Sequence, residues 1–232
     1  MDGAQILIAG IGGLGSSWAQ RAHIRTGHDI DLVLIDADES SFNAPDAHVI
    51  RLGRDLDSAG CAALPPLGEQ RMRQASDVSR TLLEGVELVI LLTGLGGGTG
   101  TGAAPVVASI AKELGALTVA VVTKPFKFEG KPRMSSAEKG LAALVEEVDS
   151  LITIPNQKLI DVLGANTPIP EAFAQADDVL KGAVQGISDI IMKPGLINVD
   201  YADVKTVMSE KGIAMMGTGK SNTKDRGRDA AE

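Results

Sequence analysis

Three observations predict an α/β fold, a parallel sheet with helices on both faces. Strand-like apolar runs alternate with stretches of helical periodicity along most of the chain. Two of those runs lead straight into glycine-rich segments, at 10–15 and 94–102. The 232 residues, 44% of them apolar, suffice for one good-sized core and the beginning of another unit.

The elements follow in order. Residues 5–9 form a first strand, and Gly10-Ile11-Gly12-Gly13-Leu14-Gly15 leads it into a helix over 14–26. A second strand over 30–35 is closed by Asp36, and a helical stretch over 67–83 precedes the apolar run 86–92. After the glycines of 94–102 come a helix over 103–114, a strand over 117–123, a helix over 134–148 and a strand over 151–154. Repeated strand–helix–strand units build a parallel sheet whose ligands bind at the carboxyl ends of the strands. A long helix over 170–192 has Pro170 at its start, Pro194-Gly195 after its end, and a stripe of Phe173, Leu180, Val184, Ile187 and Ile191. Asp177 is in phase with that stripe, where an inward carboxylate needs hydrogen-bond donors; a partly solvated place at the helix edge serves it equally well. A loop, a short helix over 203–211, a strand-like 212–217 and a polar tail complete the sequence. The expected division is one domain over 1–193 and, over 194–232, the start of an incomplete second subdomain. Segment 212–217 is expected to pack on its own domain or to pair with another chain, and residues beyond about 220 to be poorly ordered.

The segment Gly94-Leu95-Gly96-Gly97-Gly98-Thr99-Gly100-Thr101-Gly102 carries six glycines in nine positions between a strand and a helix. Strand, glycine loop and helix together turn bare backbone N–H groups and a positive helix end towards a phosphate. Glycine permits φ > 0 there and has no Cβ to hold an anion away. A flexible linker would have the glycines without the flanking elements. The first glycine motif, with Asp36 about twenty residues on, also satisfies the dinucleotide fingerprint, which reads as an NAD-dependent oxidoreductase. Two glycine loops suit a long triphosphate better, with Gly12 and Gly13 on one side and 96–102 on the other.

Composition narrows the classes. A net charge of −8 argues against nucleic acid as the main partner. No run approaches the roughly 20 apolar residues that span a bilayer, so no membrane insertion is expected, and Met1-Asp2-Gly3 does not read as a signal peptide. Cys61 is the single cysteine, which excludes an internal disulfide, and His23, His28 and His48 form no metal-ligand cluster. A reducing cytoplasm is the expected location.

The residues also resemble a known family. Gly96-Gly97-Gly98-Thr99-Gly100-Thr101-Gly102 is similar to the tubulin/FtsZ signature, and Ala103-Ala104-Pro105-Val106-Val107-Ala108 continues like the FtsZ branch. Val121-Val122-Thr123-Lys124-Pro125-Phe126, Ser150-Leu151-Ile152-Thr153-Ile154-Pro155-Asn156 and Asn198-Val199-Asp200-Tyr201-Ala202-Asp203-Val204 are similar in order and spacing. The similarity is specific from about Leu88 onward and loose over 1–85. It implies a tubulin-like GTPase domain that binds GTP and GDP with Mg²⁺. Under the resemblance, Glu129 meets the ribose, Arg133 faces ribose and phosphate, and Asn156 contacts the ribose. Phe173 lies against the base, and Asp177 accepts the N1–H and N2–H of guanine. Read without it, Glu129 and Arg133 are an i, i+4 surface pair and Asn156 is a helix cap. Asp200 and Asp203 alone read as acids complementing a helix N-terminus. The resemblance puts them in a loop that enters the next subunit's nucleotide pocket and polarises the water attacking the γ-phosphate. The implied function is a GTPase active at a shared interface, assembling weakly head to tail into cytoskeletal protofilaments linked to cell division. The alternative is a non-hydrolysing GTP-binding protein that joins or caps filaments of a full-length FtsZ.

The amino-terminal part departs from the family pattern. Leu14 interrupts an otherwise all-glycine first loop, and Asp36-Ala37-Asp38 stands where Asn-Thr-Asp is usual. Cys61-Ala62-Ala63-Leu64-Pro65-Pro66-Leu67-Gly68 replaces a glycine- and asparagine-rich loop that faces the γ-phosphate. A carboxylate at Asp36 repels a triphosphate unless a cation lies between them.

Overall fold

A parallel sheet covered on both faces needs apolar residues at successive strand positions. All six residues of β1 (Ile6–Ile11) are buried, and so are the last five of β2 (Asp31–Asp36). The computed structural model describes residues 5–26, 30–42, 44–53, 60–158, 168, 171, 174, 177–179, 182, 186, 206, 212–214 and 228. Among them, β3 (His48–Arg51), β4 (Leu88–Gly94), β5 (Leu117–Lys124), β6 (Ser150–Pro155) and β7 (Gly212–Ala214) complete the strands. The helices are α1 (Gly12–Thr26), α2 (Pro65–Gln74), α3 (Ser76–Leu83), α4 (Gly98–Glu113) and α5 (Lys131–Val145). Strand order is β3-β2-β1-β4-β5-β6-β7, with each of the six pairings parallel.

The period-2 geometry of a strand splits its residues between two cores. Ile8 on β1 lies across from Leu32 on β2 and Ile90 on β4, and these face the same way. That face is covered by Trp18, Ala19 and Ala22 of α1. Leu7, Ala9, Val33, Val89 and Leu91 point the other way, onto Met72 of α2, Leu83 of α3, a run of α4 residues and Leu144 of α5. From β1 the chain moves outward to β2 and β3, then returns to place β4 on the other side of β1. The carboxyl ends of β1 and β4 therefore flank the crevice where open α/β sheets bind ligands.

Three details differ from the sequence reading. The helix expected over 67–83 is broken at Ala75 into α2 and α3, where Ser76 and Asp77 favour a helix start over a helix interior. Edge strand β3 was not expected; of its four residues only Ile50 is buried, too little to make an apolar pattern. The helix expected from 103 begins at Gly98, inside the glycine segment. Segment 212–214 agrees with one of its two expected outcomes, since it pairs with β6 through Ser150↔Gly212 and Leu151↔Ile213 and so packs on its own domain. The boundary expected at 193 lies outside the described residues.

Glycines in α4 serve packing as much as ligand access. A Cβ on Gly102 would stand 2.0 Å from the Pro65 carbonyl oxygen and 2.7 Å from the Glu69 nitrogen. Across the same contact, a Cβ on Gly68 would stand 2.3 Å from the Gly98 carbonyl oxygen. Bare backbone on both helices lets α2 lie directly on the first turns of α4. The turn that brings the chain to α2 holds Ala62 and Ala63 at φ 46° and 56°, a left-handed conformation that costs a residue with a Cβ. Leu64 then occupies the N-cap of α2 without a side-chain hydrogen bond.

Candidate functional site

A cleft of about 420 Å³ opens at the carboxyl ends of β1, β4 and β5 and at Asn156, just past β6. Two helix N-termini converge on it. Gly97 is the N-cap of α4 in extended conformation, and Gly98, Thr99 and Gly100 follow it along the cleft wall. Gly12 and Gly13, the first residues of α1, form the facing wall. The two segments touch: a Cβ on Gly12, whose φ is +75°, would lie 3.2 Å from the Gly100 nitrogen. Neither helix carries an acidic residue in its first turn. The orphan N–H groups and positive dipole ends of both helices are left to an anion. A Cβ on Gly97 would have no neighbour within 4 Å, so backbone there is open to a ligand.

Not every residue of the glycine signature lines the cleft. Gly96 has φ +106° and packs beneath Arg133, and its N–H donates to Thr101 Oγ1 at 2.8 Å. Thr101 therefore pins the loop from inside, while Gly102 packs against α2. The cradle proper is Gly97, Gly98, Thr99 and Gly100, with Gly12 and Gly13 opposite.

Glu129 and Arg133 both line the cleft rather than a remote surface. Arg133 Nε donates to Glu129 Oε2 at 3.0 Å, and Phe126 N–H donates to Glu129 Oε1 at 2.7 Å. Both oxygens of Glu129 are thereby oriented by the bend after β5. Asn156 is 2% exposed, and its Oδ1 has no hydrogen-bond partner among the described residues. A buried acceptor left unpaired in a cleft wall fits a ligand with a hydroxyl or amine to donate.

Asp177 does not line this cleft. It accepts hydrogen bonds from Trp18 Nε1 and from the guanidinium of Arg21, both on α1. Phe173, Asp200 and Asp203 lie outside the described residues, as does most of the expected helix over 170–192. Asp36 is 4% exposed and also turns away from the cleft. Its Oδ1 accepts from Ala37 N–H at 2.7 Å and its Oδ2 from Ser41 Oγ at 2.6 Å. Those bonds occupy the acid that the dinucleotide reading needs for a ribose. Two residues on, the Ser40 backbone and hydroxyl hold the exposed Asp38 carboxyl below the ordinary aspartate range.

Among the described residues no group of three His, Cys, Asp or Glu side chains could hold a metal ion, and Glu129 is the one carboxylate of the cleft. That donor set suits a magnesium ion carried by phosphate oxygens and waters, not one caged by this subunit. The sequence reading missed Thr123 and Pro125 as cleft walls, and Trp18 and Arg21 as partners of Asp177. A signal for the α1 residues existed, since Leu14, Trp18 and Arg21 are spaced by four and three and so share a helix face.

Comparison with known proteins adds to this geometry. The family model for the "Tubulin/FtsZ family, GTPase domain" matches residues 5–164. The chain is 52% identical over 231 residues to the cell division protein FtsZ of Coxiella burnetii, covering 99% of this chain and 60% of the relative. For the FtsZ of Pseudomonas aeruginosa the identity is 48%, covering 99% of this chain and 59% of the relative. The solved FtsZ dimer of M. jannaschii superimposes with a TM-score of 0.91 at 41% identity, over 98% of this chain and 66% of that one. CetZ2 from Haloferax volcanii shares the fold, with a TM-score of 0.76 at 20% identity over 90% of this chain and 64% of that one. The similarity thus includes the amino-terminal part, where the motifs alone are loose. The chain spans about 60% of the length of the curated relatives it matches.

Proposed function

Because the chain belongs to the tubulin/FtsZ family through its GTPase domain, we propose that it binds GTP and GDP in the cleft between α1 and α4 and hydrolyses GTP on assembly. The observation that carries this reading is the convergence on one cleft of two helix N-termini without an acidic residue in their first turns, beside the unpaired Oδ1 of Asn156. Gly97 to Gly100 and Gly12 to Gly13 receive the phosphates through backbone N–H groups. Glu129, Arg133 and Asn156 take the ribose and the adjoining phosphate. Asp177, with Phe173 four positions before it in sequence, takes the guanine.

Hydrolysis requires water to attack the γ-phosphorus while the bond to the β–γ bridging oxygen breaks, releasing GDP and phosphate. Among the described residues the cleft's carboxylate is Glu129, whose oxygens are already held by Phe126 and Arg133. Asp200 and Asp203 of a second subunit, docked head to tail, would orient that water. A Mg²⁺ ion carried by the nucleotide would supply neutralisation of phosphate charge, with no cage of carboxylates from the described residues. Weak protofilaments in the cytoplasm, serving division, are the corresponding assembly; among the described residues no helix is long and apolar enough to cross a membrane.

A second reading has its own support. Leu14 puts an apolar side chain into the wall of the cleft where a phosphate is to be held, and Leu64 stands 55% exposed outside it at the start of α2. This favours a GTP-binding protein that joins filaments of a full-length FtsZ without turnover. Calorimetry with GTP, ATP and NAD, and phosphate release against protein concentration, separate the readings. Specific activity that rises with concentration, and is abolished in Asp203→Ala while GTP still binds, supports the shared site. GTP binding with no phosphate release at any concentration supports the second reading, and tighter binding of NAD than of GTP refutes both.

A further inference from the structure

We infer that Trp18 and Arg21 are positioning residues that hold the Asp177 carboxylate as a fixed acceptor and so set its preference among purine bases. The inference rests on the proposed role of Asp177 and adds the two groups that act through it. Trp18 is 1% exposed and packed in the core between α1 and the sheet, so its ring is immobile. A buried indole N–H requires an acceptor, and the one it has is Asp177 Oδ1, 159 residues away in sequence. Arg21, one turn further along α1, donates to the other oxygen, Oδ2. Two donors from one helix leave the carboxylate little freedom to rotate.

Geometry connects this clamp to the cleft. Leu14, Trp18 and Arg21 lie on one face of α1, and Leu14 lines the cleft. At 1.5 Å per residue, Trp18 is about 6 Å and Arg21 about 10 Å along the helix from Leu14. A nucleotide held by its phosphates at the cleft would have to lay its base along α1 to meet the clamp, as the proposed role of Asp177 requires.

The chemistry follows from counting lone pairs. A carboxylate has about four acceptor sites, of which Trp18 and Arg21 use two, one on each oxygen. The remaining pair, also one on each oxygen, is left for two adjacent donors. Guanine offers N1–H and the 2-amino group side by side. Hypoxanthine offers N1–H alone, and adenine presents an unprotonated N1 that a carboxylate repels. A carboxylate free to swing could meet these bases in other orientations, and a clamped one cannot.

The test titrates GTP, ITP and ATP into the full chain, the Trp18→Phe variant and the Arg21→Ala variant by calorimetry. Wild type is expected to rank GTP, then ITP, then ATP. In both variants the GTP-to-ATP preference should fall roughly fivefold or more, the worth of about one hydrogen bond, while ATP affinity stays within about twofold. The single tryptophan supplies an independent readout, because its emission should shift with GTP and not with ATP. Circular dichroism checks folding, and because Arg21 is a half-exposed surface side chain, Arg21→Ala carries the test if Trp18→Phe fails to fold. A preference equal to wild type in a folded variant, or a gain in GTP affinity on removing either donor, overturns the inference. Wild type that binds GTP no better than ATP instead defeats the proposed role of Asp177.

Discussion

Two glycines five residues apart should have opposite phenotypes when each is given a methyl group. In Gly102→Ala the new Cβ would sit 2.0 Å from the Pro65 oxygen, where ordinary contact begins at 3.4 Å, so α2 must retreat by about 3.4 − 2.0 = 1.4 Å. The obstructing atoms are backbone and cannot rotate aside, which puts the cost at the upper end of overpacking, about 3 kcal/mol. The better helix propensity of alanine returns about 1 kcal/mol. The net loss of about 2 kcal/mol corresponds to a fall in Tm of about 4–8 °C for a chain of this size. In Gly97→Ala the methyl meets nothing within 4 Å, and φ −86°, ψ 178° suits alanine. Its stability should lie within about 0.5 kcal/mol of wild type, because restricting the unfolded chain and weakening the N-cap nearly cancel. The same methyl enters the phosphate position, so GTP affinity should drop at least about tenfold, or 1.4 kcal/mol. Differential scanning calorimetry and GTP titration read the two effects. An unchanged Tm for Gly102→Ala would falsify the close helix contact, and wild-type GTP affinity in Gly97→Ala would remove the phosphate from the α4 N-terminus.

Three other substitutions probe the neighbourhood. Leu64→Asn supplies the missing side-chain cap of α2 and should raise stability by about 1 kcal/mol in urea unfolding; no gain would mean that the first turn of α2 is already satisfied. Asn156→Ala removes an acceptor that has no partner, so Tm should hold while GTP affinity falls about tenfold, and a large loss of Tm would assign Asn156 to the fold instead. Leu14→Ala clears a side chain 38% exposed in the cleft and should tighten GTP binding several-fold; weaker binding would show that Leu14 packs on the nucleotide.

The sheet was legible because burial on both faces forces long apolar runs, and β1, β4 and β5 are such runs. Edge strand β3 was not, since a strand with one buried residue leaves no period to detect. The glycine signature located one wall of the cleft, but only part of the signature lines it. From sequence, Gly97 and Gly102 look alike, and only the position of α2 separates a ligand glycine from a packing glycine. Glu129 and Arg133 were ambiguous for a related reason, as i, i+4 spacing describes a surface pair and a cleft pair equally. The Trp18–Asp177 hydrogen bond spans 159 residues, and no local pattern encodes a contact of that range.

The meeting of two helix N-termini has a thermodynamic consequence for the empty protein. Each terminus carries roughly half a positive charge, so without a ligand two like-signed ends face each other across the Gly12–Gly100 contact. An anion there supplies the counter-charge, which makes the ligand part of what keeps the domain folded. By mass action, nucleotide at a hundred times its Kd would add about 2.7 kcal/mol to unfolding. If nucleotide fills this cleft as proposed, exchange of one nucleotide for another would be the moment at which the domain is least stable. Stability measured without an anion in the buffer would then describe only the domain with its two helix termini unneutralised.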